Sequence, residues 1–292
     1  MTLAEFLASS PMVLLALAFI LGLLIGSFLN VVIYRLPLMM ERDWRAQCHE
    51  FLELPAPSVD GTSFAKFNLS TPGSHCPQCK HAIGAAENIP VISYVLQRGK
   101  CAHCKSPISP RYPILETVTA ICSALVAANF GFTWLTLALL IFTWSLIALT
   151  MIDFDRQLLP DDITLPLLWL GLIINSLGLL TTLESAVWGA IGGYLILWSI
   201  YWVFKLLTGK EGMGYGDFKL LAALGAWLGW QALPQIILLS SLVGAVVGIS
   251  LIVIKGRDKN VPIPFGPYLA SAGFLALLVG DDITALFFNF MV

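Results

Sequence analysis

No charged residue falls among the 29 residues from 6 to 34, nor among the 36 from 117 to 152. A helix needs roughly 20 apolar residues to cross the hydrocarbon core of a bilayer. The first run therefore holds one crossing and the second holds two, with a turn near 129–133 (NFGFT). Further apolar stretches lie near 163–182, 185–204, 219–231, 235–254 and 263–280, which brings the expectation to eight spans. The shortest, 219–231, has the least definite ends. A chain with 58% hydrophobic residues, 12% charged residues and a mean hydropathy of +0.83 is not an ordinary water-soluble domain. Residues 283–292 are too short to cross and are expected at the outer interface.

Basic residues collect in cytoplasmic loops of membrane proteins. With an outside N-terminus and eight spans, the inner loops are about 35–113, 153–162, 205–219 and 255–262. All 16 Lys and Arg residues lie in them, nine in the first loop. The first span has no basic segment before it and is too long for a signal-peptide core, so a retained helix is expected. The expected fold is an all-α polytopic membrane protein of about eight transmembrane helices. Its organisation is a first transmembrane helix over 1–34, a cytoplasmic zinc-binding loop domain over 35–113 and a seven-helix membrane domain over 114–292. The net charge of −2 gives little information on partners, and no nucleic acid is expected among them.

The first inner loop contains four of the six cysteines, as CPQC at 76–79 and CAHC at 101–104. Each C-x2-C presents two thiolates from a tight turn, and two such knuckles complete a closed tetrahedral zinc site. Cys76, Cys79, Cys101 and Cys104 are the expected ligands. The competing reading, a pair of disulfides, sits badly with a loop on the reducing cytoplasmic side. His75, His81 and His103 flank the knuckles and offer substitute ligands, although solvated surface histidines are the expected reading, while Cys48 and Cys122 stand alone. The polar, aperiodic stretch from Met40 to Pro72 reads as an irregular loop.

The acids are placed at the same boundary. Asp153 ends the third span in TMIDFDRQ, and Asp217 stands just before the sixth in EGMGYGDFKL. Two partly desolvated carboxylates brought together cannot both ionise easily, so one retains a proton. Such a pair can hydrolyse a peptide bond, one member taking a proton from water and the other polarising the carbonyl. Helix capping competes for Asp217, and first-turn acids favoured by the helix dipole explain Asp161 and Asp162. Asp155 lies two residues nearer the water than Asp153. The G-x-G-x-G of Gly212, Gly214 and Gly216 suggests a nucleotide loop, but that motif requires a βαβ unit, and its flanks here are membrane helices.

Taken together, these stretches resemble the bacterial type IV prepilin peptidases, bifunctional leader peptidases and N-methyltransferases of the GXGD aspartyl protease class. The resemblance rests on GSFLNVVIYRLP at 26–37, the two CxxC knuckles with NIPVISY between them, and SPRYPILE at 109–116. It continues through MIDFDRQLLPDDITLP at 151–166, GMGYGDFKLLAALGAWLGW at 212–230 and PFGPYLA at 264–270. It implies that Asp153 and Asp217 are the catalytic pair. It also implies prepilin and pseudopilin substrates of type IV pili or type II secretion, cut after their short basic leader at the cytoplasmic face of the bacterial inner membrane. S-adenosylmethionine would be the methyl donor, with no residue assigned to hold it. A transporter and a zinc-stapled assembly factor without catalysis are the rival classes. The first would place acids at mid-span and show internal repeats, and the second would tolerate Asn at both aspartates.

Overall fold

The computed structural model describes residues 3–54, 67–255 and 263–291, whose regular elements are all helices, with two isolated bridges and no strand among the described residues. The chain divides into two compact units, Met1–Phe132 and Thr133–Val292.

The first unit opens with α1 (Leu3–Ser9) and α2 (Pro11–Phe51). Pro11 stands in the first turn of α2, where its missing N–H leaves no bond unmade. The sequence predicts a loop from Met40 onward, but α2 continues through Pro37 to Phe51. The stretch MERDWRAQCHEF contains neither Gly nor Pro, and Arg45 pairs with Glu41 one turn earlier at 2.6 Å. Its charges therefore mark where the chain leaves the apolar zone, and the helix persists beyond that point. The remainder of that predicted loop, 55–66, lies outside the described residues.

Residues 67–72 are fastened back onto α2. Arg35, 8% exposed, donates to the carbonyls of Asn68 (3.0 Å) and Pro72 (2.6 Å), and the Arg42 guanidinium lies 4.1 Å from the centre of the Phe67 ring. After the first knuckle come a 3-10 turn (Ala85–Asn88), a short α3 (Ile92–Leu96) and α4 (Arg111–Phe130). Small residues let α4 approach α2 closely: a Cβ on Gly22 would lie 2.5 Å from the Ala120 Cα, and one on Gly26 2.7 Å from the Glu116 Cα.

The second unit holds α5 (Trp134–Arg156), α6 (Asp161–Ser176), α7 (Leu183–Thr208), α8 (Tyr215–Leu228), α9 (Leu233–Lys255) and α10 (Gly266–Met291). Thr133 caps α5 by accepting the Thr136 N–H. At the centre is α8, whose Phe218, Leu220, Leu221, Leu224 and Trp227 have no exposed surface. Its crossing with α7 is made by glycine on both sides, Gly189 lying directly against the Gly225 backbone. On α6, Gly171 makes room for Trp227, whose indole N–H donates to the Leu167 carbonyl at 2.8 Å.

Five described helices are long and apolar enough to cross a membrane: Pro11–Phe51, Arg111–Phe130, Trp134–Arg156, Leu183–Thr208 and Trp230–Leu251. A shorter apolar helix covers Gly266–Gly280. The structure thus has a helix at each of the eight predicted positions, but α6 and α8 have only 16 and 14 residues. They measure about 24 and 21 Å against a hydrocarbon core of about 30 Å. Their shortness fits their surroundings, because α8 is walled by protein and has little need to meet lipid. The segment predicted at the outer interface continues α10 in helical form to Met291, past a bend at Val279 (φ −136°, ψ 20°). The inner-loop residues 256–262, Arg257 and Lys259 among them, lie outside the described residues.

An eight-span arrangement predicts that reporter fusions near Gly131, Leu183 and Pro234 behave as external. Fusions near Gln47, Gln157 and Gly209 should behave as cytoplasmic. Reversal at two or more of these points would overturn that arrangement.

Candidate active site and metal centre

Asp153 occupies the last turn of α5, and Asp217 the first turn of α8. Both are 6% exposed, although each stands next to charged or solvated sequence. The structure brings them within electrostatic range of one another. Asp155, by contrast, is exposed, and the exposed Asp161 takes both its short contacts, 2.7 and 2.8 Å, from the Lys219 ammonium on α8. That ion pair ties the start of α6 to the start of α8 and leaves Asp161 as a positioning residue for the helix that carries Asp217.

Capping accounts for only half of the Asp217 carboxylate. Gly214 is the N-cap of α8 and Asp217 stands three residues later, where its Oδ2 accepts the Gly214 N–H at 3.2 Å. Its Oδ1 is buried and accepts no hydrogen bond from the described residues. A buried carboxylate oxygen without a donor is costly, which favours either a proton on the group or a ligand not present in the structure.

Asp153 is oriented from far away in the sequence. Its Oδ2 accepts the N–H of Gly266, the first residue of α10, at 2.9 Å. A Cβ at position 266 would lie 2.6 Å from that oxygen. Leu159, in the connection from α5 to α6, packs against both Gly216 and Gly266, so the two glycine backbones share one apolar neighbour beside the acids. Gly266→Ala is therefore expected to displace Asp153 and reduce the turnover of any reaction that Asp153 serves about 10²-fold or more, the scale set by a misplacement of about 1 Å. The helices should remain folded, as judged by circular dichroism. Near-normal turnover in this variant would show that Gly266 does not set the acid.

The four predicted cysteine ligands also converge. The sulfurs of Cys76, Cys79, Cys101 and Cys104 all lie within 4.8 Å of one another, and all six cysteines of the chain are free thiols. The Cys76 and Cys104 sulfurs are 3.8 Å apart, the edge expected of a tetrahedron with metal–sulfur bonds of about 2.3 Å. Both knuckles are built alike. The Lys80 N–H donates to the Cys76 carbonyl (2.9 Å) and the Lys105 N–H to the Cys101 carbonyl (3.0 Å), with Lys80 and Lys105 both at positive φ. The backbone amides of Cys79 and Gln78 hold the Cys76 thiol below its usual range, whereas burial and the neighbouring thiols hold that of Cys79 above it. His81 and His103 stack on each other with ring centres 5.1 Å apart and stand outside the four-sulfur group. This donor set fits a closed zinc site. Cys76→Ser is expected to remove most of about one zinc per chain, measured by elemental analysis of the purified protein. Negligible metal in carefully prepared wild type would refute the site.

Comparison with known proteins agrees with this geometry. Residues 20–130 match the Bacterial Peptidase A24 N-terminal domain, and residues 140–249 match the Type IV leader peptidase family. Among curated relatives, a protein of Stutzerimonas stutzeri is 60% identical over 99% of both chains. A protein of Pseudomonas aeruginosa is 55% identical over 99% of both. The chain belongs to the type IV leader peptidase family. A further member, from Aeromonas hydrophila, is 57% identical over 94% of this chain and 93% of its own, and all three are named prepilin leader peptidase/N-methyltransferase. No solved structure matches.

Within this leader peptidase, the N-terminal match contains the four cysteines and the second match contains both aspartates. Gly266 lies beyond it. Two residues that support the site were not singled out from the sequence. Gly266 stood only within PFGPYLA, one of the stretches that carry the resemblance, and its N–H as the partner of Asp153 is a contact across 113 residues. Asn175 is 1% exposed and ties down the far end of α8, donating to the carbonyls of Ala226 (2.8 Å) and Trp227 (2.9 Å) while accepting the Thr181 N–H (2.9 Å). The available signal was a lone Asn inside an apolar run, where an amide must find partners.

Proposed function

We propose that this chain cleaves the short basic leader of type IV prepilins and pseudopilins, with Asp153 and Asp217 as the catalytic pair, and then N-methylates the new N-terminal residue. The reading is carried by the buried, unpartnered Oδ1 of Asp217 beside Asp153, which capping alone leaves unexplained. Two carboxylates in that setting hold one proton between them. The ionised member takes a proton from water as the water oxygen attacks the scissile carbonyl carbon, and the protonated member donates to the carbonyl oxygen. Collapse of the tetrahedral intermediate breaks the C–N bond, and the departing amine takes up the proton held by the base. S-adenosylmethionine supplies the methyl group when bound.

The cysteine loop, 35–113, acts as a zinc-stapled module through Cys76, Cys79, Cys101 and Cys104, and 114–292 as the membrane protease domain. The bacterial inner membrane is the proposed location, with the acids at its cytoplasmic face, where a leader retained in the cytoplasm meets an apolar substrate helix. Co-expression with a prepilin tests this directly. A leader-sized mobility shift and a methylated N-terminus are expected from the wild type. A transporter or a non-catalytic assembly factor would leave the prepilin intact.

A further inference from the structure

Between the two knuckles the chain presents an apolar face that the described protein leaves uncovered. Ile89, Ile92, Val95 and Leu96 are 43, 54, 65 and 77% exposed, a density unusual for a soluble surface. Immediately beside them is a shallow cavity of about 380 Å³, whose lining includes Arg98, Lys100 and Lys105 next to Leu96, and no carboxylate. Apolar side chains bordered by cations are the composition of a segment that lies in a membrane interface with anionic lipids.

The position of this face gives a second, independent reason. The Val91 N–H donates to the Glu116 Oε2 at 2.8 Å, and Glu116, 7% exposed, belongs to α4, one of the helices long and apolar enough to cross a membrane. Glu116 lies five positions beyond Arg111, the start of α4, which is about 7.5 Å along the axis. Val91 itself is held at φ +60°, a conformation that β-branched residues rarely adopt. The fold thus pins this segment to the first turns of α4, and at the end of a helix that crosses a bilayer such a position meets the lipid headgroups.

We infer that Ile89, Ile92, Val95 and Leu96 insert into the membrane interface while Arg98, Lys100 and Lys105 bind anionic phospholipid headgroups, so that the cysteine module lies on the bilayer surface. The occupant is lipid, because the chain already holds the face at the membrane boundary and its charge complements an anionic leaflet. This surface does not depend on the peptidase assignment.

The test uses the full chain with p-benzoylphenylalanine at position 96, reconstituted in vesicles of phosphatidylcholine with phosphatidylglycerol. Illumination should yield phospholipid adducts, identified by mass spectrometry. Their yield should fall at least about tenfold in vesicles of phosphatidylcholine alone, and similarly for the R98E/K100E/K105E variant in mixed vesicles, since each basic residue near an anionic surface contributes about 1 kcal/mol. Zinc content of that variant reports whether the module stays folded. The comparison of vesicle compositions uses no charge substitution, so it decides the matter even if the variant does not fold. Adducts formed mainly with this chain, with a second copy or with another protein would overturn the inference, as would a lipid yield indifferent to phosphatidylglycerol.

Discussion

Asp217→Asn is expected to reduce prepilin cleavage by about 10³-fold or more while the protein still folds and inserts, and Asp153→Asn is expected to do the same. Asn keeps the size of Asp and an acceptor oxygen, and it serves helix caps about as well. The Gly214 N–H can still be satisfied by the amide oxygen at position 217, so a structural role predicts little change. An amide, however, neither takes a proton from water nor shares one with a neighbour. If the two acids act as the proposed pair, the double variant should be scarcely slower than either single one. Asp155→Asn, at an exposed position two residues nearer the water than Asp153, should keep substantial activity. Near-normal cleavage by Asp217→Asn, measured as the rate of leader removal from a purified prepilin, would establish capping as the role of this carboxylate.

Gly189→Val is expected to be the most disruptive substitution in the membrane unit. A Cβ at position 189 meets the Gly225 carbonyl, and one at 225 meets the Gly189 carbonyl, so neither helix offers a flexible side chain that could yield. Gly193, one turn further along α7, is similarly crowded, with the Leu221 carbonyl oxygen 2.6 Å from its Cβ position. A branched side chain at 189 must push α7 and α8 apart. Overpacking of this kind costs about 1–3 kcal/mol where neighbours can relax, and more where backbone opposes backbone. Because α8 carries Asp217, the variant should lose cleavage together with thermal stability in detergent. Gly192→Ala is the matched control: its Cβ would meet only the Leu233 Cδ1, at 3.3 Å, and that side chain can shift. Wild-type melting and cleavage in Gly189→Val would show that α7 and α8 do not cross at these glycines.

The features legible in the sequence were those encoded over short distances. The C-x2-C spacing defines its own knuckles, and the uncharged runs define helices, because both depend on residues a few positions apart. Asp153 and Asp217 could be selected because acids at the edge of an apolar run are expensive. Charge was also what misled: in 40–51 it was read as the end of helix, yet Glu41 and Arg45 stabilise the helix that continues. The number of membrane crossings could not be read from apolar length alone. A 14-residue helix such as α8 is apolar because protein surrounds it, and lipid-facing and protein-facing Leu are indistinguishable in a sequence. Glycine contacts were equally hidden. The Gly189–Gly193 spacing shows that one helix face is small, but not which of several helices will meet it.

The hydrogen bond from Gly266 to Asp153 has a consequence for the order in which the molecule is made. Asp153 and Asp217 both leave the ribosome well before residue 266, yet the backbone donor that orients Asp153 exists only once α10 has docked. During synthesis, therefore, a partly inserted chain carries both acids in an unset arrangement. A chain stopped after Lys255 would contain every side chain of the proposed dyad and remain a poor hydrolase. Competence would then arrive as a late and nearly single event in biogenesis, so that a half-built copy in the membrane poses little risk to neighbouring polypeptides.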